Sequence, residues 1–304
     1  MTLPGYVNSE IASIESDNVS GAEVIMQRCA NVLERVGQDP GLNDAGELQG
    51  ALREAARLLV NAQPAMAGVF NIANAFLWVS DRTDTIQGLR ERVAETGRRF
   101  SRFGDEHLAL IAGRAARLVQ PGQTILTHSN SSTVFRALVE ARKLGKEFSV
   151  ICTESRPMLE GVTLAQGLAE AGIRVELVTD AGVFSLIGRA QCVLFGADAV
   201  SSQGLVNKAG TLGIATVARS LVVPCYALCS TAKISPLPGT LLVQREGNRH
   251  EALPRPSPNV TPVNHYFDLT PLELLTGIIT EEGTMPILAV RVAISALNIH
   301  PLLR

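Results

Sequence analysis

Up to about residue 118 the apolar positions recur at helical spacing. Val24, Ile25, Cys29, Val32 and Leu33 form a first stripe. Ser20 stands as its N-cap, and Glu23 three residues on completes a capping box. A second stripe runs from Asp44 to Asn61 through Leu48, Leu52, Ala55, Leu58 and Leu59. Pro64 fits the first turn of a third helix. The segment from Ala65 to Val79 is almost wholly apolar, but it carries Asn71 and Asn74 and is too short for a bilayer, so it reads as a buried helix. From Arg82 to Leu118 the apolar face is discontinuous, with Gly104-Asp105 as the place where it breaks.

Pro121-Gly122 is a turn, and beyond it the period changes. Short apolar runs at 124–127, 148–153, 174–178, 192–195 and 222–228 alternate with helical patterns at 133–144, 159–171, 182–188 and 212–221. That alternation predicts a doubly wound parallel sheet. Residues 236–262 are rich in Pro, Gly, Asn and charge and read as a long surface loop, with one strand at Leu241-Leu242-Val243. A last strand covers 276–280 and a last helix 286–297. The expected architecture is an α/β chain. An N-terminal helical subdomain (1–120) is followed by a Rossmann-like doubly wound parallel sheet (121–304).

Composition narrows the classes of function. The 304 residues are 46% hydrophobic, enough for a substantial core. A formal charge of -2 implies no general attraction to nucleic acid or to an anionic membrane. Aromatics are only 4%, too few for base-stacking platforms. The five Cys lack paired spacing, which argues against a zinc site and a disulfide framework and for a reducing, cytoplasmic setting. The first residues lack the charged and apolar regions of a signal peptide.

The unusual polar residues gather where the strands end. Four loops carry them: Thr127-His128-Ser129-Asn130-Ser131-Ser132, Thr153-Glu154-Ser155-Arg156-Pro157, Asp180, and Gly196-Ala197-Asp198. Strand ends on one edge of a parallel sheet converge on a shared cleft. Asp198 follows a run, Val193-Leu194-Phe195, that reads as a central strand. A carboxylate there can move protons, or it can simply turn the loop. Asn207 and Lys208 are placed near the start of the helix at 212, where a lysine can hold an anion. His128 has two readings as well, an imidazole bonded to a neighbouring loop or a pocket group. Glycine-rich phosphate motifs are absent, and nothing around Ser129 resembles a nucleophile elbow.

As an ordered set, these loops resemble a known family. The motifs are Thr127 to Ser132, Thr153 to Gly161, Gly196 to Val200, Asn207 to Thr211 and Thr280 to Pro286, with Ser20-Gly21-Ala22 before them. Together they are similar to the eukaryotic translation initiation factor 2B alpha/beta/delta superfamily. That superfamily includes methylthioribose-1-phosphate isomerase and ribose-1,5-bisphosphate isomerase. The resemblance covers about residues 15 to 290. It implies a phosphorylated sugar or nucleotide as ligand, no cofactor or metal, and a homodimer or higher homo-oligomer. In the isomerases a Cys and an Asp shuttle a proton between C2 and C1 of the ring-opened sugar phosphate. By position Asp198 matches the Asp, and Gly21, Ala22, Arg156, Asn207 and Lys208 match the substrate contacts.

Two positions depart from the pattern. Ser129 stands where the isomerases have Cys, and Glu160 where they usually have Gln. A thiol titrates near about pH 8.5, whereas a hydroxyl needs a neighbouring base to act. A carboxylate at 160 repels a phosphate unless Arg156 or Lys208 neutralises it. Cys152 and Cys229 are alternative thiols, against the plainer reading of both as small core residues. Two functions follow. One is a sugar-phosphate aldose-ketose isomerase with Asp198 and Ser129 catalytic, and His128 and Glu160 among the ligand contacts. The other is a non-catalytic regulatory subunit or sugar-phosphate sensor.

Overall fold

The computed structural model describes residues 3–17, 22–64, 66–82, 85–243, 247–255 and 257–304. Ser20 and Gly21, expected as cap and ligand contact, lie outside the described residues. The chain forms two compact units, one of residues 1–106 with 297–304 and one of residues 107–296.

The first unit is helical, as its periodicity requires. It holds α1 (Gly5–Ser16), α2 (Ala22–Gly37), α3 (Ala45–Ala62), α4 (Ala67–Asp81) and α5 (Ile86–Arg102). Ile25, Met26, Cys29, Val32, Leu33 and Val36 form the buried stripe of α2. Asp44 caps α3 by accepting from the backbone N–H groups of Gly46 and Glu47. Pro64 sits ahead of α4 and not in its first turn. The C-terminal residues return to α4, where Asn74 and Trp78 both donate to the Asn298 carbonyl and His300 meets Asp81 at 2.8 Å.

The second unit begins before the Pro121 turn, earlier than the change of pattern suggests. Its first helix, α6 (Leu108–Leu118), presents Ile111, Ala112, Ala115 and Ala116 to the sheet core. The remaining elements are β1 (Thr124–His128), α7 (Ser132–Lys143), β2 (Ser149–Thr153), α8 (Glu160–Glu170), β3 (Arg174–Val178), β4 (Cys192–Phe195), β5 (Ala199–Val200), β6 (Leu205–Lys208), α9 (Thr211–Ser220) and β7 (Cys225–Leu228). They continue with α10 (Gly239–Leu242), α11 (Arg249–Ala252), β8 (Phe267–Thr270), β9 (Gly277–Ile279), β10 (Thr284–Met285) and α12 (Ile287–Ser295).

Seven strands form one sheet in the order β10-β9-β7-β4-β1-β2-β3, parallel except for the β10 edge. Strands β1, β2 and β4 are buried almost throughout, which is why they read as unbroken apolar runs. On one face α6, α7 and α8 bury Ile125, Val150, Cys152 and Leu194. On the other, α9 and α12 bury Leu126, Val193, Phe195 and Ile278. The other three strands described form a separate antiparallel sheet, β5-β6-β8, that the sequence pattern does not predict. It takes Asn207 and Lys208 out of the expected helix start and into β6. The expected strand at 241–243 is instead the short helix α10. Among the described residues no helix is long and apolar enough to cross a membrane.

Candidate active site

The candidate residues gather where the strand order of the sheet reverses. Strands β1-β2-β3 run outward one way and β4-β7-β9 the other, so the chain diverges between β1 and β4. Crevices of this kind receive ligands at the carboxyl ends of the strands. His128 of β1 pairs with Phe195 of β4. Ser129 and Gly196 therefore leave adjacent strands at the same level.

A chain of polar groups holds the loops in place. Ser129 has a left-handed backbone, φ 69°, and its N–H donates to Ser155 Oγ at 2.8 Å. Ser155 Oγ lies 3.1 Å from Thr153 Oγ1, which lies 2.6 Å from His128 Nδ1. His128 Nε2 lies 2.9 Å from the Ala209 carbonyl. A carbonyl only accepts, so Nε2 carries the hydrogen and Nδ1 accepts from Thr153. Burial holds the imidazole below its ordinary pKa and keeps it neutral. The N–H groups of Ser155 and Arg156 donate to the two carboxylate oxygens of Asp180 at 2.8 and 2.7 Å. Three strand-end loops are thereby tied to one another and to the β6–α9 loop. Gly210, at φ 115°, passes so close that an added Cβ would meet His128 Nε2 at 2.9 Å.

The charged groups sit within this frame. Glu160 opens α8, and its Oε1 meets Lys208 Nζ at 2.7 Å and accepts from Ser129 Oγ at 3.3 Å. Lys208 is buried, with its ammonium 5.4 Å from the centre of the Tyr266 ring. Glu160 Oε2 is buried and has no hydrogen-bond partner among the described residues. The close approach of α8 to β2 depends on Gly161, where a Cβ would lie 1.9 Å from the Thr153 carbonyl oxygen. Asp198, in the loop between β4 and β5, keeps a little accessible surface. Even so, loss of water raises its pKa; Lys233 and Lys208 oppose the rise and Glu160 adds to it.

The structure thus brings together Ser129, Glu160, Lys208 and Asp198 from the sequence-derived set. Lys208 is the group that neutralises Glu160, as the departure at that position required. Asn207 is buried beside them and donates to Thr211 Oγ1 at 2.9 Å. Both nitrogens of His128 are engaged by protein groups, Thr153 and the Ala209 carbonyl, which is the arrangement of an imidazole bonded to neighbouring loops. Arg156 is exposed, with its guanidinium 3.4 Å from the Glu251 carbonyl. Ala22 begins α2 in the other unit.

Cys152 is buried in the sheet core, where burial pushes its thiol up to about 12, so it supplies no thiolate at neutral pH. Cys229 is a buried core residue as well. Sequence reading missed Lys233, which donates to the Ala197 carbonyl at 3.1 Å from the turn after β7. Its signal was available, since that turn leaves the same edge of the sheet four residues beyond Cys229.

The sequence matches the Initiation factor 2 subunit family over residues 18–287. The chain belongs to that family. One relative is the ribose 1,5-bisphosphate isomerase of Archaeoglobus fulgidus, 32% identical over 278 residues, or 90% of this chain and 87% of that protein. Another is a putative translation initiation factor eIF-2B subunit 2-like protein of Pyrococcus horikoshii, 32% identical over 92% of this chain and 96% of that one. The translation initiation factor eIF-2B structure from Pyrococcus horikoshii superposes with a TM-score of 0.78 at 30% identity, covering 93% of this chain and 98% of that one. This chain's relatives therefore include both an isomerase and an initiation-factor-like protein, and the same crevice has to be read for both.

Proposed function

We propose that the crevice binds a phosphorylated ribose derivative and interconverts its aldose and ketose forms. The single observation that carries this reading is Asp198, a carboxyl group at the switch point whose pKa is raised beside two lysines. Isomerisation of a ribose 1-phosphate moves hydrogen from C2 to C1 while O2 loses a proton and the ring oxygen gains one as the ring opens, so it balances without an added oxidant or reductant. A group that takes and returns that proton works best with a pKa near the ambient pH. Loss of water moves Asp198 in that direction. Ser129, with its hydroxyl on Glu160, orients the sugar oxygen. Lys208 and Lys233 offset negative charge as it develops. The cationic and polar setting, together with the isomerase among the relatives, supports a sugar phosphate as ligand. The same reading carries a cytoplasmic homo-oligomer, which light scattering of the purified protein measures directly.

The test is turnover of ribose 1,5-bisphosphate and 5-methylthioribose 1-phosphate by the wild type and by Asp198→Asn. The variant keeps the shape and removes the base, so the rate should fall by about 10²-fold or more while binding persists. An equally active variant would refute the proton-carrier role. A second reading, a sensor or regulatory subunit, is favoured by Ser129 in place of the isomerases' Cys. An inactive wild type that binds both sugars and becomes active as Ser129→Cys would establish it.

A further inference from the structure

The motif at residues 280–286 leaves the sheet at the same edge as Asp198. Strands β4, β7 and β9 are parallel neighbours, with Phe195 paired to Ala227 and Ala227 to Ile278. Their carboxyl ends release three loops side by side: the Asp198 loop, the turn after β7 and the β9–β10 hairpin. Thr280 and Gly283 close that hairpin with backbone hydrogen bonds of 2.8 and 3.2 Å. Glu281 stands within it and is only 6% exposed. Its carboxylate is directed at the neighbouring turn. Each of its oxygens accepts from the Thr231 N–H at 3.1 Å, and Oε1 accepts from the Thr231 hydroxyl as well. His107 Nδ1 lies 3.0 Å from the same oxygen. A buried carboxylate needs such partners in place of its lost water.

The turn held in this way carries Lys233. Thr231 opens it, and the Lys233 N–H donates back to the Ser230 carbonyl at 2.9 Å. Ahead of it the Cys229 N–H donates to Ile279 at 3.0 Å, and beyond it the Ser235 N–H donates to Val200 at 2.7 Å. Between these backbone anchors Glu281 grips the first residue of the turn. Lys233 Nζ then reaches the carbonyl of Ala197, the residue before Asp198. There its charge is the foremost one opposing the raised pKa of Asp198; Lys208 helps, and Glu160 works against both. We infer that Glu281 is a positioning residue, holding the 231–233 turn so that the Lys233 ammonium stays against the Asp198 loop. Its bearing on proton transfer rests on the isomerase reading given above, whereas the positioning needs no substrate and is measured without one. The sign of the effect separates positioning from plain electrostatics. Removing a nearby negative charge by itself eases the ionisation of Asp198 and lowers its pKa. Releasing Lys233 withdraws a cation and raises it.

The experiment is a carbon-13 NMR titration of the Asp198 carboxyl group in the full chain labelled at aspartate, with Asp198→Asn assigning the signal. Lys233→Met is expected to raise the titration midpoint by about one pH unit. Glu281→Gln is expected to raise it by about half a unit or more, and to add nothing once Lys233 is replaced. An unchanged or lowered midpoint in Glu281→Gln overturns the inference. So does an unchanged midpoint in Lys233→Met, or a Glu281→Gln rise that persists without Lys233. If Glu281→Gln does not fold, Thr231→Val removes the hydroxyl donor, leaves every charge in place and decides by the same signs. The two claims fail separately: an Asp198→Asn variant as active as the wild type refutes the proton carrier, and only the titration bears on Glu281.

Discussion

The Lys208 ammonium lies 2.7 Å from Glu160 Oε1, and this contact joins the second strand of the small antiparallel sheet to the first residue of α8. The ion pair thus links two elements that share no backbone pairing. The side chains are 6% and 26% exposed, so the pair is shielded but not sealed from water.

Breaking that pair from one side should destabilise the fold. Loss of one partner of a fully buried pair costs about 3–5 kcal/mol. With Glu160 partly wetted, Lys208→Met should cost about 1–3 kcal/mol. Adding Glu160→Gln removes the stranded charge and should restore part of the loss. Urea denaturation of the two single variants and the double variant measures the coupling, and strictly additive costs would show that the contact contributes nothing.

Asp198 should trade stability for its chemistry. Its folded pKa is raised above the ordinary value of 3.8. Stability linked to a raised carboxyl pKa is complete below the unfolded value and is lost as pH climbs through the folded one. At pH 7 the wild type therefore bears the cost of an ionised, poorly hydrated carboxylate. Asp198→Asn should be the more stable protein at pH 7, and its advantage should shrink toward pH 3.5. Thermal melts across that range provide the comparison, and an advantage that grows on acidification would contradict the raised pKa.

Gly161 should tolerate no side chain. A Cβ at this position would stand 1.9 Å from a backbone oxygen of Thr153, which cannot rotate away. Gly161→Ala should cost about 2 kcal/mol or more by forcing α8 off the end of β2. Because Glu160 precedes it, ligand affinity should fall with stability. Unchanged denaturation and affinity would mean that α8 is not seated as described.

The thiols should be silent. All five cysteines are buried and none is joined in a disulfide, and burial pushes Cys29, Cys152, Cys192 and Cys225 up to about 12. In the folded protein a disulfide reagent at pH 7.5 should label none within minutes, and all five should react in guanidinium. Rapid labelling of Cys152 in the native state would reopen its candidacy as a nucleophile.

Much of this architecture was legible in the chain, for identifiable reasons. Val193-Leu194-Phe195 announced a doubly buried strand because both faces of β4 are covered. Asp198 and Ser129 could be placed at one crevice because loops leaving the same edge of a parallel sheet converge. The small sheet escaped because β5 has only two residues and β6 mixes Leu205 and Val206 with Asn207 and Lys208, so neither shows a period. Its partner β8 lies far along the chain, and only tertiary pairing makes it a strand. His128 read equally as an imidazole bonded to a neighbouring loop or as a pocket group, because a histidine in a loop motif offers two nitrogens. What occupies them, Thr153 and the carbonyl of Ala209, is 25 and 81 residues away.

The β5–β6 hairpin has a consequence for insertions and deletions. Its turn is closed by Ser201 and Gly204, whose backbones exchange hydrogen bonds of 2.9 and 3.2 Å. Downstream, Asn207 faces Asp268 and Lys208 faces Phe267 across β8. Side chains alternate along a strand, so gaining or losing one residue in the turn exchanges the sides on which the amide and the ammonium emerge. After a gain Glu160 would meet the amide of Asn207 where it now meets a cation, and after a loss the methyl group of Ala209. The hairpin works as a vernier for the crevice: spelling changes along it leave the scale intact, whereas a change of length resets the zero.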